Sequence, residues 1–353
     1  MHKFLTIFLI FLFPLSSFTQ LFIHDSSYEQ GYRKELSLTG KWKFAIGDNL
    51  DYAKISYDDS DWSFIEVPSF WENQGYPGYD GYAWYRLTFQ VPPQLKGLYL
   101  YLRLGRIDDV DEVYINGYKL NQWGYHGEFY HSSLGMDREY EIPPQLLDFK
   151  KHNLIAVRVY DHQGSGGIYQ GPVGIFSRPA TDKLLLTNLT GFWKFHRGDS
   201  VVWASPIFDD TDWDLLLAPC FWEHQGYSEL NGFAWYRKHI HIPAEYSSVK
   251  LILAAGKIND IDEVYFNGVL IGKTGSVDPL VSEIQGISTW RIERFYEIPE
   301  ELIKWNEQNV IAVRVYDYTR TGGIWYGPLG LTTKKAYERY LKRTKNFDNR
   351  GEK

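Results

Sequence analysis

The run Arg106-Ile-Asp-Asp-Val-Asp-Glu-Val-Tyr-Ile-Asn-Gly117 returns almost unchanged as Lys257-Ile-Asn-Asp-Ile-Asp-Glu-Val-Tyr-Phe-Asn-Gly268. Each copy carries acids, then a short β pattern, then Asn-Gly. Asn and Gly both tolerate positive φ, so Asn-Gly between apolar runs predicts a hairpin with a type I′ turn. Tyr118-Lys-Leu120 and Val269-Leu-Ile271 supply the return strands. A chain that spells this piece twice must build the same backbone twice.

The rest of the sequence follows suit. Gly40-Lys-Trp42 matches Gly191-Phe-Trp193, and Asp58-Asp-Ser-Asp-Trp62 matches Asp209-Asp-Thr-Asp-Trp213. Pro68-Ser-Phe-Trp-Glu72 matches Pro219-Cys-Phe-Trp-Glu223, and Gly81-Tyr-Ala-Trp-Tyr-Arg86 matches Gly232-Phe-Ala-Trp-Tyr-Arg237. These lie 151 residues apart. After the hairpin the offset becomes 156, as in Asn153 to Asp161 against Asn309 to Asp317, or Gly166-Gly-Ile168 against Gly322-Gly-Ile324. A unit this long is a whole domain rather than a solenoid repeat. Short strand patterns such as the alternating-Leu run Leu98 to Leu104 and the β-branched run Asn153 to Asp161, with Gly and Pro between them, predict an all-β fold, a jelly-roll β-sandwich in each copy. The two Asp-Asp-x-x-Trp segments predict a helical turn capped by Asp with Trp packed inward. The expected organisation is a signal peptide over 1–19, one sandwich over 20–180, a second over 181–333 and a basic tail over 334–353.

Phe4 to Leu15 is apolar apart from Thr6 and Pro14, follows Lys3, and precedes Ser17-Phe-Thr19. These are the regions of a secretory signal peptide, so a secreted or periplasmic location is expected. The run is too short to span a bilayer, and no second one follows. Cys220 is the single cysteine, which leaves no intramolecular disulfide. The net charge of −7 argues against nucleic acid as a partner. Aromatic residues make up 17% of the chain, more than a core requires and common on surfaces that meet sugars.

The ordered set Gly-x-Trp-x-Phe, Asp-x-x-Trp, Val67-Pro-Ser-Phe-Trp71, Trp84-Tyr-Arg86, Val113-Tyr-Ile-Asn-Gly117 and Asn-x-Ile-Ala-Val-Arg-Val resembles the N-terminal sugar-binding domain of glycoside hydrolase family 2. That domain is a galactose-binding-like jelly roll, and the resemblance covers nearly all of residues 30–333 as two tandem copies. The Ile-Asp-Asp-x-Asp-x-Val-Tyr-x-Asn-Gly and Gly-Gly-Ile motifs are most similar to jelly-roll domains of bacterial sialate O-acetylesterases. In family 2 enzymes the resemblance places the catalytic carboxylates on a (β/α)₈ barrel of about 250 residues, and this sequence has no stretch left for one. In the esterases a separate α/β domain does the chemistry. Gly198-Asp-Ser200 looks like the nucleophile block of such esterases, but it aligns with the turn Gly47-Asp-Asn49. Cys220 aligns with Ser69 in an apolar setting and reads as a small core residue. No catalytic residue is assigned.

Asp108, Asp109, Asp111 and Glu112 admit four readings. Asp111 shares a strand face with Val113 and Ile115, so on a core face it must be paired. The repeated Arg86/Arg237 and Arg158/Arg314 are the expected partners. Ligand binding at the sandwich edge ranks second, a structural calcium third and a glycosidase pair last. His239-Ile-His241 has no counterpart in the first copy, and no zinc is expected. The sugar-binding candidates are Asp109, Asp111, Tyr169, Trp84 and Trp123 in the first copy and Asp260, Asp262, Tyr326, Trp235 and Trp290 in the second. Tyr169 and Tyr326 follow Gly-Gly-Ile loops, where backbone can approach a ligand.

The resemblance implies a secreted carbohydrate-binding accessory protein of polysaccharide degradation, with an oligo- or polysaccharide as partner and no cofactor. Two alternatives stand beside it. One is a family 2-like glycoside hydrolase, of β-galactosidase or β-glucuronidase type, or a carbohydrate esterase. The other is a scaffold docking to a separate glycoside hydrolase or esterase.

Overall fold

A computed structural model describes residues 31–127, 130–276, 289–319 and 321–351. The expected signal peptide lies outside the described residues.

Among the described residues, twenty strands form four antiparallel sheets. The first sandwich contains β1 (Arg33–Ser37), β2 (Gly40–Ile46), β3 (Ser63–Val67), β4 (Gly81–Gln90), β5 (Leu100–Asp108), β6 (Val110–Ile115), β7 (Tyr118–Trp123), β8 (Asp137–Ile142), β9 (His152–Asp161) and β10 (Gly167–Ser177). Its six-stranded sheet has the order β3-β2-β4-β9-β6-β7, and it faces a four-stranded sheet of order β1-β10-β5-β8. The second sandwich repeats this with β11 (Leu185–Asn188), β12 (Gly191–Arg197), β13 (Asp214–Ala218), β14 (Gly232–His241), β15 (Leu251–Asn259), β16 (Ile261–Phe266), β17 (Val269–Thr274), β18 (Glu293–Glu297), β19 (Gln308–Asp317) and β20 (Gly323–Thr333). Its sheets have the orders β13-β12-β14-β19-β16-β17 and β11-β20-β15-β18. A short helix α1 (Pro179–Asp182) joins the two, and α2 (Lys334–Gly351) follows the last strand.

Period-two alternation explains the central strands. In β4, Ala83, Tyr85 and Phe89 enter the main core, while Trp84 and Arg86 point to the other face. That other face is also covered. Residues 50–62 fold over it and build a satellite core of Ala53, Trp62, Trp84 and Ala156. The second copy does the same with Ala204, Trp213, Trp235 and Ala312. The Asp-Asp-x-x-Trp segment is a turn rather than a helix. Asp58 accepts from the Ser60 amide, and Trp62 packs inward as expected.

The predicted hairpins form. Asn116 and Gly117 have φ of 51° and 86°, and Asn267 and Gly268 have 47° and 90°, as a type I′ turn requires. Asn116 also donates to the Leu146 carbonyl at 2.7 Å and accepts from the Leu154 amide at 2.8 Å, which ties the turn to β9.

The two sandwiches share a junction. Leu217 and Cys220 complete the first core, and the Phe192 ring meets the Tyr118 ring edge-on at 5.6 Å. His224 and Asn121 bond across the boundary at 2.7 Å. Burial pushes the His224 imidazole down to about 3, so it is neutral and its Nδ1 donates to the Asn121 oxygen. Glu141 of β8 accepts from the Tyr99 hydroxyl at 2.5 Å and from the Gly327 amide of the second sandwich at 2.7 Å.

Burial raises the Glu141 carboxyl to about 7 from an ordinary 4.5, against the lowering effect of these two hydrogen bonds. The folded protein therefore holds this proton more tightly than the unfolded chain. The stability linked to it is fully present below about 4.5 and is lost as pH rises towards 7, by up to about 3 kcal/mol. Glu141→Gln, which keeps the neutral shape, is expected to become more stable relative to wild type across that window in thermal melts. A difference between the two that stays constant with pH would contradict this.

Candidate functional site

The repeated acidic run forms around a buried arginine. Asp111 is fully buried beside Val113 and Ile115, as the alternation predicts. Its partner is neither Arg86 nor Arg158 but Arg138 of β8, whose Nε donates to Asp111 at 2.5 Å. The Tyr140 hydroxyl donates to the other Asp111 oxygen. The remaining guanidinium hydrogens go to four carbonyls, of Ser133 at 2.6 Å, Met136 at 2.7 Å, Ile107 at 2.8 Å and Asp109 at 2.9 Å. The second copy reproduces this with Arg294. It binds Asp262 at 2.8 Å and the carbonyls of Thr289, Ile292, Ile258 and Asp260. Tyr296 takes the role of Tyr140. Five donors in a fixed fork suit such a cradle, where an ammonium would leave carbonyls unmatched.

The arginines named from the sequence act elsewhere. Arg86 pairs with Asp59 at 2.7 Å and donates to the carbonyls of Tyr52, Lys54 and Tyr57, which fastens the 50–62 segment over Trp84. Arg237 does the same with Asp210 and residues 203–208. Arg158 grips Asp48 at 2.5 Å and reaches Glu112 at 3.3 Å, with its guanidinium 4.3 Å from the Tyr82 ring centre. Burial opposes ionisation of Glu112. Hydrogen bonds from His126 and Tyr114, with the charges of Lys119 and Arg158, still hold it far below the usual carboxylate range. Arg314 repeats the grip with Asp199 at 2.6 Å and Glu263 at 2.9 Å.

Asp108, Asp109 and Asp161 gather at the mouth of β5 and β9, with one oxygen from each within 4.8 Å of the others. Asp109 accepts from Ser132 at 2.5 Å and from the His162 amide at 3.0 Å. Desolvation first, then the neighbouring acids, raise Asp108 and Asp161 to about 7. All three are at least nine-tenths buried, so no sugar ring fits between them as a glycosidase pair requires. The second copy places Asn259, Asp260 and Asp317 in the same arrangement, and Asp260 accepts from the Tyr318 amide at 3.0 Å.

Four of the sugar-binding candidates are removed from any surface. Asp111, Asp262, Trp84 and Trp235 are at most 1% exposed. The two indoles sit in the satellite cores, with Nε1 donating to Asp48 at 3.2 Å and to Asp199 at 3.0 Å. Alternation correctly points these rings away from the main core but cannot show the segment folded over them.

Tyr169 and Tyr326 are not equivalents. Counting from Gly166-Gly-Ile168 and Gly322-Gly-Ile324, the counterpart of Tyr169 is Trp325. Tyr169 lies parallel to Phe70, with centres 4.6 Å apart and 5° between planes. Trp325 lies parallel to Phe221 at 5.3 Å and 4°. All four rings are half-buried at the sandwich end. Tyr326 instead turns to the junction, where its hydroxyl lies 3.3 Å from Glu139. Trp290 joins the second pair, 5.7 Å from Trp325, and its carbonyl accepts from the Trp325 indole at 3.3 Å. Trp123 is half-buried against the first core, 6.0 Å from the Arg138 guanidinium.

The glycines set these pairs. A Cβ on Gly166 would stand 2.0 Å from the Trp71 ring, and one on Gly322 would stand 2.1 Å from Trp222. Glu72 and Glu223 accept the Gly166 and Gly322 amides at 3.1 and 3.0 Å. Phe70, Phe221, Trp325, Arg138 and Arg294 escaped the sequence reading. Extending the 156-residue offset one position past Ile168 identifies Trp325, and the same offset applied upstream of Tyr-Glu-Ile-Pro identifies the two arginines.

Residues 57–165 match the family described as the β-galactosidase second all-beta domain. The β-galactosidase BoGH2A of Bacteroides ovatus is 31% identical over 159 residues, 39% of this chain and 16% of its own length. A putative β-glucuronidase of Formosa agariphila is 28% identical over 177 residues, 46% of this chain and 16% of its own length. A solved β-glucuronidase of Bacteroides uniformis is 17% identical, with a TM-score of 0.37, and the match covers 81% of this chain and 28% of that one. The chain spans 16% of the length of either curated relative. The likeness therefore lies in part of the chain, to an all-beta domain of β-galactosidases and to stretches of the curated β-galactosidase and β-glucuronidase.

Asp111→Ala leaves the Arg138 guanidinium buried without its anion and is expected to cost roughly 3–5 kcal/mol in denaturant unfolding. Arg106→Ala, which breaks the exposed 3.2 Å pair with Asp137, is expected to cost under about 1 kcal/mol. Equal losses for the two would refute the cradle.

Proposed function

We propose that this chain is a carbohydrate-binding accessory of polysaccharide degradation that holds glycan on the ring pairs Phe70–Tyr169 and Phe221–Trp325 and does not itself cleave it. The observation that carries this reading is the recurrence of a near-parallel, half-buried ring pair at the same place in both copies. Phe70 and Phe221 keep the same ring, Tyr169 gives way to Trp325, and the near-parallel geometry stays. A flat hydrocarbon surface with hydrogen-bonding groups near it is what a sugar face needs.

Trp290 borders the second pair, and the loop after the hairpin that carries it differs between the copies. This fits two preferences on one scaffold. The relatives' printed activities make β-galactoside- and β-glucuronide-containing polysaccharides the first ligands to try. The apolar leader supports export from the cytoplasm, where such polymers are met. Two linked sites on a repeating polymer gain about 100-fold or more in avidity when their spacing fits.

Affinity electrophoresis against such polysaccharides tests the proposal, with reducing-sugar release scored on the same samples. Tyr169→Ala and Trp325→Ala are each expected to weaken binding about ten-fold, as losing roughly 1–1.5 kcal/mol of ring contact implies. The double variant is expected to run as in ligand-free gel. Sugar release by the wild type, or retention unaffected in the double variant, would overturn the reading.

A further inference from the structure

We infer that Asp108, Asp109 and Asp161 form a calcium site in the first sandwich, and that the second sandwich has lost it through Asn259. One oxygen from each of the three carboxylates lies within 4.8 Å of the others, a spacing that one ion can bridge. Among the described residues no lysine or arginine side chain donates to any of the three. Arg138, the nearby cation, spends its donors on Asp111 and four carbonyls.

A second observation points to a ligand. Asp161 is fully buried, and its Oδ1 accepts from the Gln163 amide at 3.2 Å, but its Oδ2 has no donor among the described residues. A buried carboxylate oxygen without a donor costs free energy unless something positive meets it. Asp109 is held in position by Ser132 and the His162 amide, with Tyr130 and Asp108 also within hydrogen-bonding reach.

The second copy serves as an internal comparison, and there Asp317 is also fully buried, with no hydrogen-bond partner for either carboxylate oxygen among the described residues. Asn259 stands where Asp108 does, and its amide nitrogen donates to the Thr321 carbonyl. That position therefore supplies a neutral oxygen and one negative charge fewer. All-oxygen, carboxylate-rich coordination selects calcium over the transition metals.

Isothermal titration of the full chain with calcium chloride tests this. Wild type is expected to bind one ion per chain, with a Kd of about 10⁻⁴ to 10⁻³ M, the range of extracellular calcium modules. Asp108→Asn is expected to weaken binding at least ten-fold. The second copy accommodates Asn at this position, so the fold tolerates the change. Asn259→Asp is expected to raise the stoichiometry to two. No saturable binding at millimolar calcium, or binding that Asp108→Asn leaves unchanged, would overturn the site.

Discussion

A guanidinium buried among carbonyls holds each copy of this fold in shape. Arg138 and Arg294 are at most 1% exposed, and each spends its donors on one carboxylate and four backbone oxygens. The carbonyls come from the end of one sheet's strand, the approach to the hairpin, and the loop before β8 or β18. Beyond the ladder that β5 and β8 already share, this single side chain fixes the end of β5, the turn into β6 and the loop before β8 to one another and to Asp111 of the facing sheet. Arg86 and Arg237 apply the same device on the opposite face and clamp the 50–62 and 203–208 segments over a buried tryptophan. With the chain ends of the sandwich fastened this way, its loops can carry half-buried rings at fixed angles.

The parts of this arrangement that depend on local chemistry are legible in the sequence. Asn-Gly specifies the turn, and Val113 and Ile115 specify which way Asp111 faces. That Asp111 needs a cationic partner follows from its burial. Which cation it finds does not follow, because Arg138 arrives from an adjacent sheet after a loop with no periodic signal. Trp84 shows the same limit. Its strand position points it out of the main core, and only the long-range return of residues 50–62 buries it. Tyr326 lies just beyond Gly-Gly-Ile, yet the offset between copies assigns the place of Tyr169 to Trp325. Alignment of the repeats outperforms residue type here, since the copies differ in ring identity but not in backbone.

Duplication also separates structural residues from variable ones. The arginine cradles, the satellite tryptophans and the Asn-Gly turns are the same in both sandwiches. The ring after Gly-Gly-Ile, the loop after the hairpin and the acid at position 108 or 259 differ. The junction adds contacts that neither copy makes alone, including Asn121 with His224 and Glu141 with Gly327. It joins the two sandwiches through side-chain and backbone contacts.

The measurement that most directly tests the central claim is hydrogen–deuterium exchange with and without a bound polysaccharide. Protection is predicted at residues 69–71 and 166–170, and at 220–222 and 322–326, where the paired rings sit. Protection centred instead on the outer face of the six-stranded sheet, around Tyr82 and Tyr160, would contradict the account.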